Sequence, residues 1–414
     1  MKIAPGTPLE VSLHWDDDDI QAVGRLAYRD RLAYLEYDPA FLASGLELSP
    51  IRHKSGSGLQ PAFQPGVFEG LHGVFSDSLP DGWGRLLVDR RARQLGIEPI
   101  SLTPLDRLAC VGSSGIGALS YAPISEVWDT KLPEIDLDAL ASDAHLVLEG
   151  EVGEIISILG QVGGSPGGAR PKALIGVNEA GHALHGSSDI PGGYNHYLVK
   201  FAGHEDPKDI AAIEMAYSVM ARAAGVSMPE TTLLKGNKGQ SYFAVKRFDR
   251  QGTRRIHVHS ASGLLYSDIR IPTLDYKDLL SLTRALTRDQ REVKAMYTLA
   301  VFNVLAHNRD DHARQFSFIM QRDGTWCMAP AYDLTCSEGP GGEHSTSVLG
   351  HGKDITCKHL TELGRLAGLK NEEIKDVIAQ AEQAVSNWQA YAAEFGVGRN
   401  STLQVGKAIS KALI

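Results

Sequence analysis

Apolar positions come in short runs between charged turns near the start of the chain, the pattern of short strands. Leu9–His14, Gly24–Tyr28 and Leu32–Tyr37 are such runs, so three short strands are expected. Between Asp77 and Gly96 a helix-start signal precedes apolar Leu86, Leu87 and Leu95. Gly112–Tyr121 (GSSGIGALSY) reads as a Gly-rich turn running into another strand. The first 125 residues are thus β-rich with helical inserts. A stretch of Pro, acids and an Ala/Leu run at 123–150 marks the first boundary.

The pattern then changes. Tyr197–Phe201 (YLVKF) is a strand, and Pro207–Ala224 is a helix with Ile210, Ile213, Tyr217, Met220 and Ala221 on one face. Gly225 stops it, and Pro229 follows. Glu230–Leu234 and Ser241–Val245 read as strands joined by the turn KGNKGQ. Helices dominate the remainder. Thr287 with Gln290 predicts a capping box for a helix ending near Ala306, whose second half is nearly all apolar and hence buried. Phe316–Met320 and Trp326–Met328 are expected to pair around Gln321–Thr325, and amphipathic helices to fill Leu363–Phe395. No repeat of solenoid period is present.

Composition narrows the class. Hydrophobic residues at 43% and charged residues at 22% of 414 positions describe an ordinary globular chain and exclude a disordered one. A formal charge of −9 argues against a strong nucleic-acid binder acting alone, because neutralising phosphates requires a basic face. Cys110, Cys327, Cys336 and Cys357 contain no C-x-x-C pair, which argues against a zinc knuckle and fits a reducing compartment. The amino-terminal segment lacks an apolar signal core and turns acidic at Asp16–Asp19, while the longest apolar run, Met296–Ala306, is too short to span a bilayer. A cytoplasmic protein without membrane contact is expected.

Three segments carry candidate chemistry. Asn308-Arg309-Asp310-Asp311-His312-Ala313-Arg314-Gln315 follows the buried helix. Phosphoryl transfer requires an acid that orients or deprotonates the attacking hydroxyl, then an oxygen-bearing side chain on Mg²⁺. Protein kinases meet this with H-R-D-x-x-x-x-N. Here Asp310 takes the place of the base and Gln315 that of the metal ligand, with Asp333 in Tyr332-Asp333-Leu334 as the second carboxylate. A charged helix-to-strand loop is the plainer reading. The second segment, Gly163-Gly164-Ser165-Pro166-Gly167-Gly168-Ala169-Arg170-Pro171-Lys172, has small residues that let backbone N–H groups approach phosphates. It is neither a Walker A loop nor a dinucleotide fingerprint, and a flexible hairpin loop is its plainer reading. Third, Lys200 near the end of a strand is followed by Glu214 in the next helix, the order of the ion pair that aims a kinase lysine at phosphates. An edge lysine is the alternative. His257 and His259 alternate on one strand face, as metal ligands or as packed or exposed histidines. Asp249 ends a strand, within reach of a ribose hydroxyl or as a surface carboxylate.

Taken in order, DSLPDGWGRLL at Asp77–Leu87, SPGGARPKALI at Ser165–Ile175, YLVKF, AVKRFDR at Ala244–Arg250, NRDDHARQFSF at Asn308–Phe318 and PAYDL at Pro330–Leu334 resemble the HipA family of serine/threonine kinase toxins from type II toxin–antitoxin systems. The resemblance implies an α+β, protein-kinase-like two-lobed fold with an additional β-rich N-terminal subdomain. Its parts would be residues 1–125 as that subdomain, 126–252 as an ATP-binding lobe and 253–414 as a helical lobe with the catalytic loop. It implies Asp310 as catalytic aspartate and Asp333 with Gln315 on Mg²⁺. Lys200, paired with Glu214, would bind ATP, with a phosphate-covering loop of Gly167, Gly168, Ala169, Arg170 and Lys172. Lys246 to Phe248 would hold the adenine edge, with Asp249 near the ribose and His312 beside the nucleotide. Ser165 would be the autophosphorylation site whose modification expels the loop.

The resemblance also implies a translation component such as an aminoacyl-tRNA synthetase as protein substrate, and a helix-turn-helix antitoxin through which alone DNA is contacted. Three departures stand out. The family usually has Asn at Gln315, the best-known members have a small residue at Asp311, and Pro166 and Pro171 stiffen the loop. Two other functions compete. A metal-dependent hydrolase would use Asp310, His312, Asp333 and His307. A kinase-like binding module would be catalytically weak because of Gln315.

Overall fold

The computed structural model describes residues 1–3, 6–80, 82–124, 135–150, 170–186 and 190–412. They form two compact units. The first comprises Met1–Asp206, Thr232–His259 and Met320–Gly324; the second comprises Pro207–Thr231, Ser260–Ile319 and Thr325–Ile414.

In the first unit the short apolar runs become strands β1 (Leu9–Asp16), β2 (Asp19–Arg29) and β3 (Leu32–Tyr37). Leu9, Val11, Leu13 and Trp15 of β1 are buried, as alternation requires. With β4 (Leu59–Pro61) and β5 (Leu119–Ala122) they make a five-stranded antiparallel sheet in the order β4-β3-β2-β1-β5. The β1–β2 register slips between Val11 and Ser12, and Gly24 sits at that bulge with φ 155. A Cβ there would lie 2.2 Å from the Glu36 carbonyl oxygen, so only glycine fits. A helix over Gly82–Gln94 follows the predicted start signal.

A second five-stranded sheet has the order β7-β6-β8-β10-β9. Its members are β6 (Lys172–Asn178), β7 (Ala183–His185), β8 (Tyr194–Lys200), β9 (Thr231–Lys235) and β10 (Ser241–Lys246). Trp83 and Leu87 share one buried core with Leu140, Ala144 and Val147 of the Leu137–Glu149 helix and with Ala173, Val199 and Phe201 of the sheet. The first β-rich stretch is therefore welded to the second sheet by its own helix.

The second unit is helical. Gln290–Leu305 is its axis, and every residue from Met296 to Leu305 is buried. Tyr276–Thr287, Ile210–Ala223, Cys357–Leu366, Asn371–Ser386, Trp388–Phe395 and Arg399–Ala412 accompany it. Tyr297 donates its hydroxyl to the Leu360 carbonyl at 3.1 Å, and Tyr217 donates to that of Ala306 at 2.8 Å. The capping expectation fails in detail. Thr287 ends the preceding helix, its hydroxyl donating to the Thr283 carbonyl, and Asp289 is the N-cap, accepting from the Arg291 N–H at 2.8 Å. The carboxyl-terminal helices begin earlier and extend further than predicted, because Arg399–Ala412 has too few large apolar residues to announce itself. No described helix is long and apolar enough to cross a membrane.

Candidate active site

The loop after the axial helix is held from several sides. His307 turns the chain with φ 55, and its ring lies 3.3 Å from a Glu338 carboxylate oxygen. Burial, then the Arg309 charge, holds its pKa below the ordinary value despite Glu338. Asn308 donates its amide to the Asn303 side chain, Asn303 donates to the Tyr276 hydroxyl, and that hydroxyl donates to Asp311, at 2.9, 2.9 and 2.8 Å. Asp311 is fully buried. It also meets His344 Nδ1 at 2.9 Å and accepts from the backbone N–H groups of Ser345 at 2.8 Å and Thr346 at 3.2 Å. Arg309 donates to the Gly342 carbonyl, and Gly339, with φ 68, lets that segment pass where a Cβ would lie 2.7 Å from Arg309 Cβ. Asp310 stands exposed between these two anchored neighbours.

The two expected metal ligands meet. Gln315 Nε2 donates to Asp333 Oδ2 at 3.1 Å across 18 positions of sequence. Tyr332 brings them together, its hydroxyl donating to the Arg314 carbonyl at 2.6 Å and lying 2.6 Å from Ser317 Oγ. The Ala331 N–H is fastened to the Ser227 carbonyl at 2.8 Å. Asp333 adopts φ 58, the left-handed region that Asp enters more readily than most residues. Buried polar atoms without a protein partner gather on this loop, at His307 Nδ1, Asn308 Oδ1, Arg309 Nε and His312 Nδ1. Here the Gln315 amide turns its nitrogen to Asp333; with the amide turned over, its oxygen beside the carboxylate would be a hard donor set that fits Mg²⁺. Tyr276, Asn303, Asp311 and His344 were not foreseen as a network, because its members are scattered along the chain.

In the first unit Lys200 ends β8, with its ammonium 5.7 Å from the centre of the Phe243 ring and Lys172 and Phe243 as its register partners. Glu214 is buried in the Ile210–Ala223 helix of the second unit. Ser165, Gly167, Gly168 and Ala169 lie outside the described residues. Arg170 pairs with Asp206 at 2.8 Å. Lys172 is already a buried strand residue, so the loop proper ends at Pro171. Lys246 closes β10, and the Arg247 N–H donates to the His196 carbonyl at 2.9 Å.

Asp249 requires correction. It is neither a surface carboxylate nor free for a ribose: it is buried, and its oxygens accept from Arg247 Nε and Nη2, Arg250 Nη1 and the Gly117 N–H at 3.0, 2.7, 2.8 and 2.8 Å. Three of the four donors crowd Oδ2 and one takes Oδ1, so the carboxylate is engaged within the protein. Burial alone would raise its pKa; Arg247 and Arg250 overcome that and pull it down.

His257 and His259 are packed, not exposed. His259 lies 2.6 Å from Asp77 Oδ2 and 2.9 Å from Ser49 Oγ. That is the order of a hydrolase triad, but Ser49 is 1% exposed and no substrate reaches its oxygen. The metal-hydrolase alternative also weakens. Among the described residues His307, Asp310, His312 and Asp333 supply no set of three ligand atoms within 4.8 Å of one another; that condition is met by His145, Glu149 and His204.

A mixed α+β chain of this kind, with a β-rich subdomain ahead of a sheet-bearing part and a helical part, has a protein-kinase-like fold. Residues 15–122 match the HipA N-terminal domain and residues 164–388 the HipA-like C-terminal domain. The chain belongs to the HipA family. It is similar to HipA in the toxin–antitoxin complex of HipA, HipB and operator DNA from Shewanella oneidensis MR-1, with a TM-score of 0.68 and 17% identity over 98% of this chain and 96% of that one. It is also 27% identical over 192 residues to "Putative kinase Y4mE" of Sinorhizobium fredii, an alignment that takes in 43% of this chain and only 39% of that relative.

Proposed function

We propose that the chain is an ATP- and Mg²⁺-dependent protein kinase acting on a serine or threonine hydroxyl, and the toxin of a toxin–antitoxin pair. The observation that carries this reading is the 3.1 Å meeting of Gln315 and Asp333 beside a loop that offers Asp310 to solvent. Asp310 orients the substrate hydroxyl and accepts its proton as that oxygen bonds to the γ-phosphorus, while the bond from the γ-phosphorus to the β–γ bridging oxygen breaks and ADP leaves. Gln315 and Asp333 would hold Mg²⁺, which neutralises phosphate charge. Lys200 binds the nucleotide phosphates, and Gly167 to Lys172 serve as the phosphate-covering loop, with Ser165 as the autophosphorylated position. Residues 126–252 serve as the nucleotide lobe, with Lys246 to Phe248 along the adenine edge, and residues 253–414 as the catalytic lobe, with His312 near the nucleotide.

By analogy with the family, the substrate is a translation component such as an aminoacyl-tRNA synthetase, in the cytoplasm. The partner is a helix-turn-helix antitoxin, through which the acidic chain contacts DNA.

The test is incubation with Mg²⁺ and γ-labelled ATP. Label retained on protein supports the reading, whereas free phosphate alone favours a hydrolase. Asp310→Asn is expected to lower transfer by about 10²–10⁴-fold while nucleotide still binds by calorimetry. Undiminished transfer would remove Asp310 from its role.

A further inference from the structure

We propose that His145, Glu149 and His204 form a binding site for one divalent cation of the zinc class, separate from the phosphoryl-transfer site. His145 and Glu149 are one turn apart at the end of the Leu137–Glu149 helix, with Nε2 and Oε1 at 3.6 Å. His204 approaches from the segment after β8, its ring centre 4.4 Å from that of His145. All three ligand atoms lie within 4.8 Å of one another. Bonds of about 2.0–2.1 Å in a tetrahedron put ligand atoms roughly 3.4 Å apart, so the helical pair is already near coordinating distance. Two imidazoles and a carboxylate suit zinc, with water in the fourth position.

The ordinary alternative is a surface ion pair one turn apart, worth a few tenths of a kcal/mol. It leaves the approach of His204 unaccounted for. The backbone beneath is fixed. Leu140, Ala144 and Val147 anchor the helix in the same core as Val199 and Phe201. The Phe201 N–H donates to the Pro171 carbonyl at 2.9 Å. Beyond it, the Gly203 N–H donates to Asp206 Oδ2 at 2.8 Å, while Asp206 Oδ1 holds Arg170. The backbone that carries the three ligands is held in place, and only their exposed side chains need rotate to close on an ion. A bound ion would tie the end of this helix to the segment that follows Lys200, making that junction stiffer when metal is present.

The experiment is calorimetric titration of the full chain with ZnCl₂ in excess Mg²⁺ and no nucleotide, so that its outcome does not depend on kinase activity. The expected result is one equivalent bound, with affinity falling at least tenfold in each of His145→Ala and His204→Ala and by less in Glu149→Gln. Because all three side chains are exposed, far-UV circular dichroism should be unchanged in the variants. Absence of saturable binding, or binding equal in wild type and both histidine variants, as ligation by the cysteines would give, overturns the proposal.

Discussion

Asp311 shows what a buried charge demands. An unpaired carboxylate in a protein interior is prohibitively costly, and Asp311 escapes that by meeting one hydroxyl, one imidazole and two backbone N–H groups. Its neighbour Asp310 is aimed by consequence, since the peptide between them is fixed at one end. Asp311→Ala should cost about 3–5 kcal/mol, because it strands four polar partners in a dry site. Asp311→Asn keeps the shape and should cost less, yet still slow phosphoryl transfer. Urea unfolding and labelled-phosphate transfer on the same samples separate the two effects; an Asp311→Ala variant of wild-type stability would dismiss the network. Sequence spacing pointed to Gln315 and Asp333 as one pair, and the fold brings the two side chains to 3.1 Å. The role of Asp311 was hidden, since its partners lie 33 to 35 positions away on both sides.

Short elements were legible wherever one local force dominates. Short apolar runs between charged turns located β1 to β3, and a continuous apolar half located the axial helix, because burial of those faces outweighs propensity. Caps were less legible. Thr287 and Gln290 satisfy the Ser/Thr-x-x-Glu/Gln pattern, but the preceding helix runs through Thr287 and ends at Arg288 with φ 55, which leaves Asp289 to cap. Asp289→Ala should therefore destabilise by about 1 kcal/mol and Thr287→Ala by less, measured as shifts in denaturant midpoint; the reverse order would restore the predicted box. Asp249 makes the same point from the other side. RFDR reads as a strand end whose carboxylate reaches a ribose or lies on the surface, and only the fold discloses that Gly117 is brought against that carboxylate.

At the scale of the whole molecule, composition spoke to class but not to acid sensitivity, which arises from how the first unit packs its histidines. His72 and His257 are both fully buried, and both have pKa values pushed down to about 3. For His72 the causes are burial first and the His53 charge second. For His257 they are burial and then His259, partly opposed by the hydrogen bond to the Leu48 carbonyl and by Asp77. Each is neutral in the folded protein at pH 5, whereas in the unfolded chain each titrates near its ordinary value of about 6.5. The unfolded state thus binds more protons between about pH 6.5 and 3. Stability is fully present above that window and falls as pH drops through it. The limiting slope is about 1.4 kcal/mol per pH unit for each histidine, so two of them should cost several kcal/mol by about pH 4.5. Asp249, its pKa lowered, adds a loss of the same sign only below the ordinary carboxylate range. Hydrogen exchange followed on β1 to β3 should accelerate from pH 6.5 to 4.5 beyond its intrinsic pH dependence, and His72→Asn should shed only part of the excess, because His257 and His196, the latter pushed down to about 4 chiefly by burial, keep the rest. Protection that holds constant across that range would mean that the two rings do not stay neutral inside this fold.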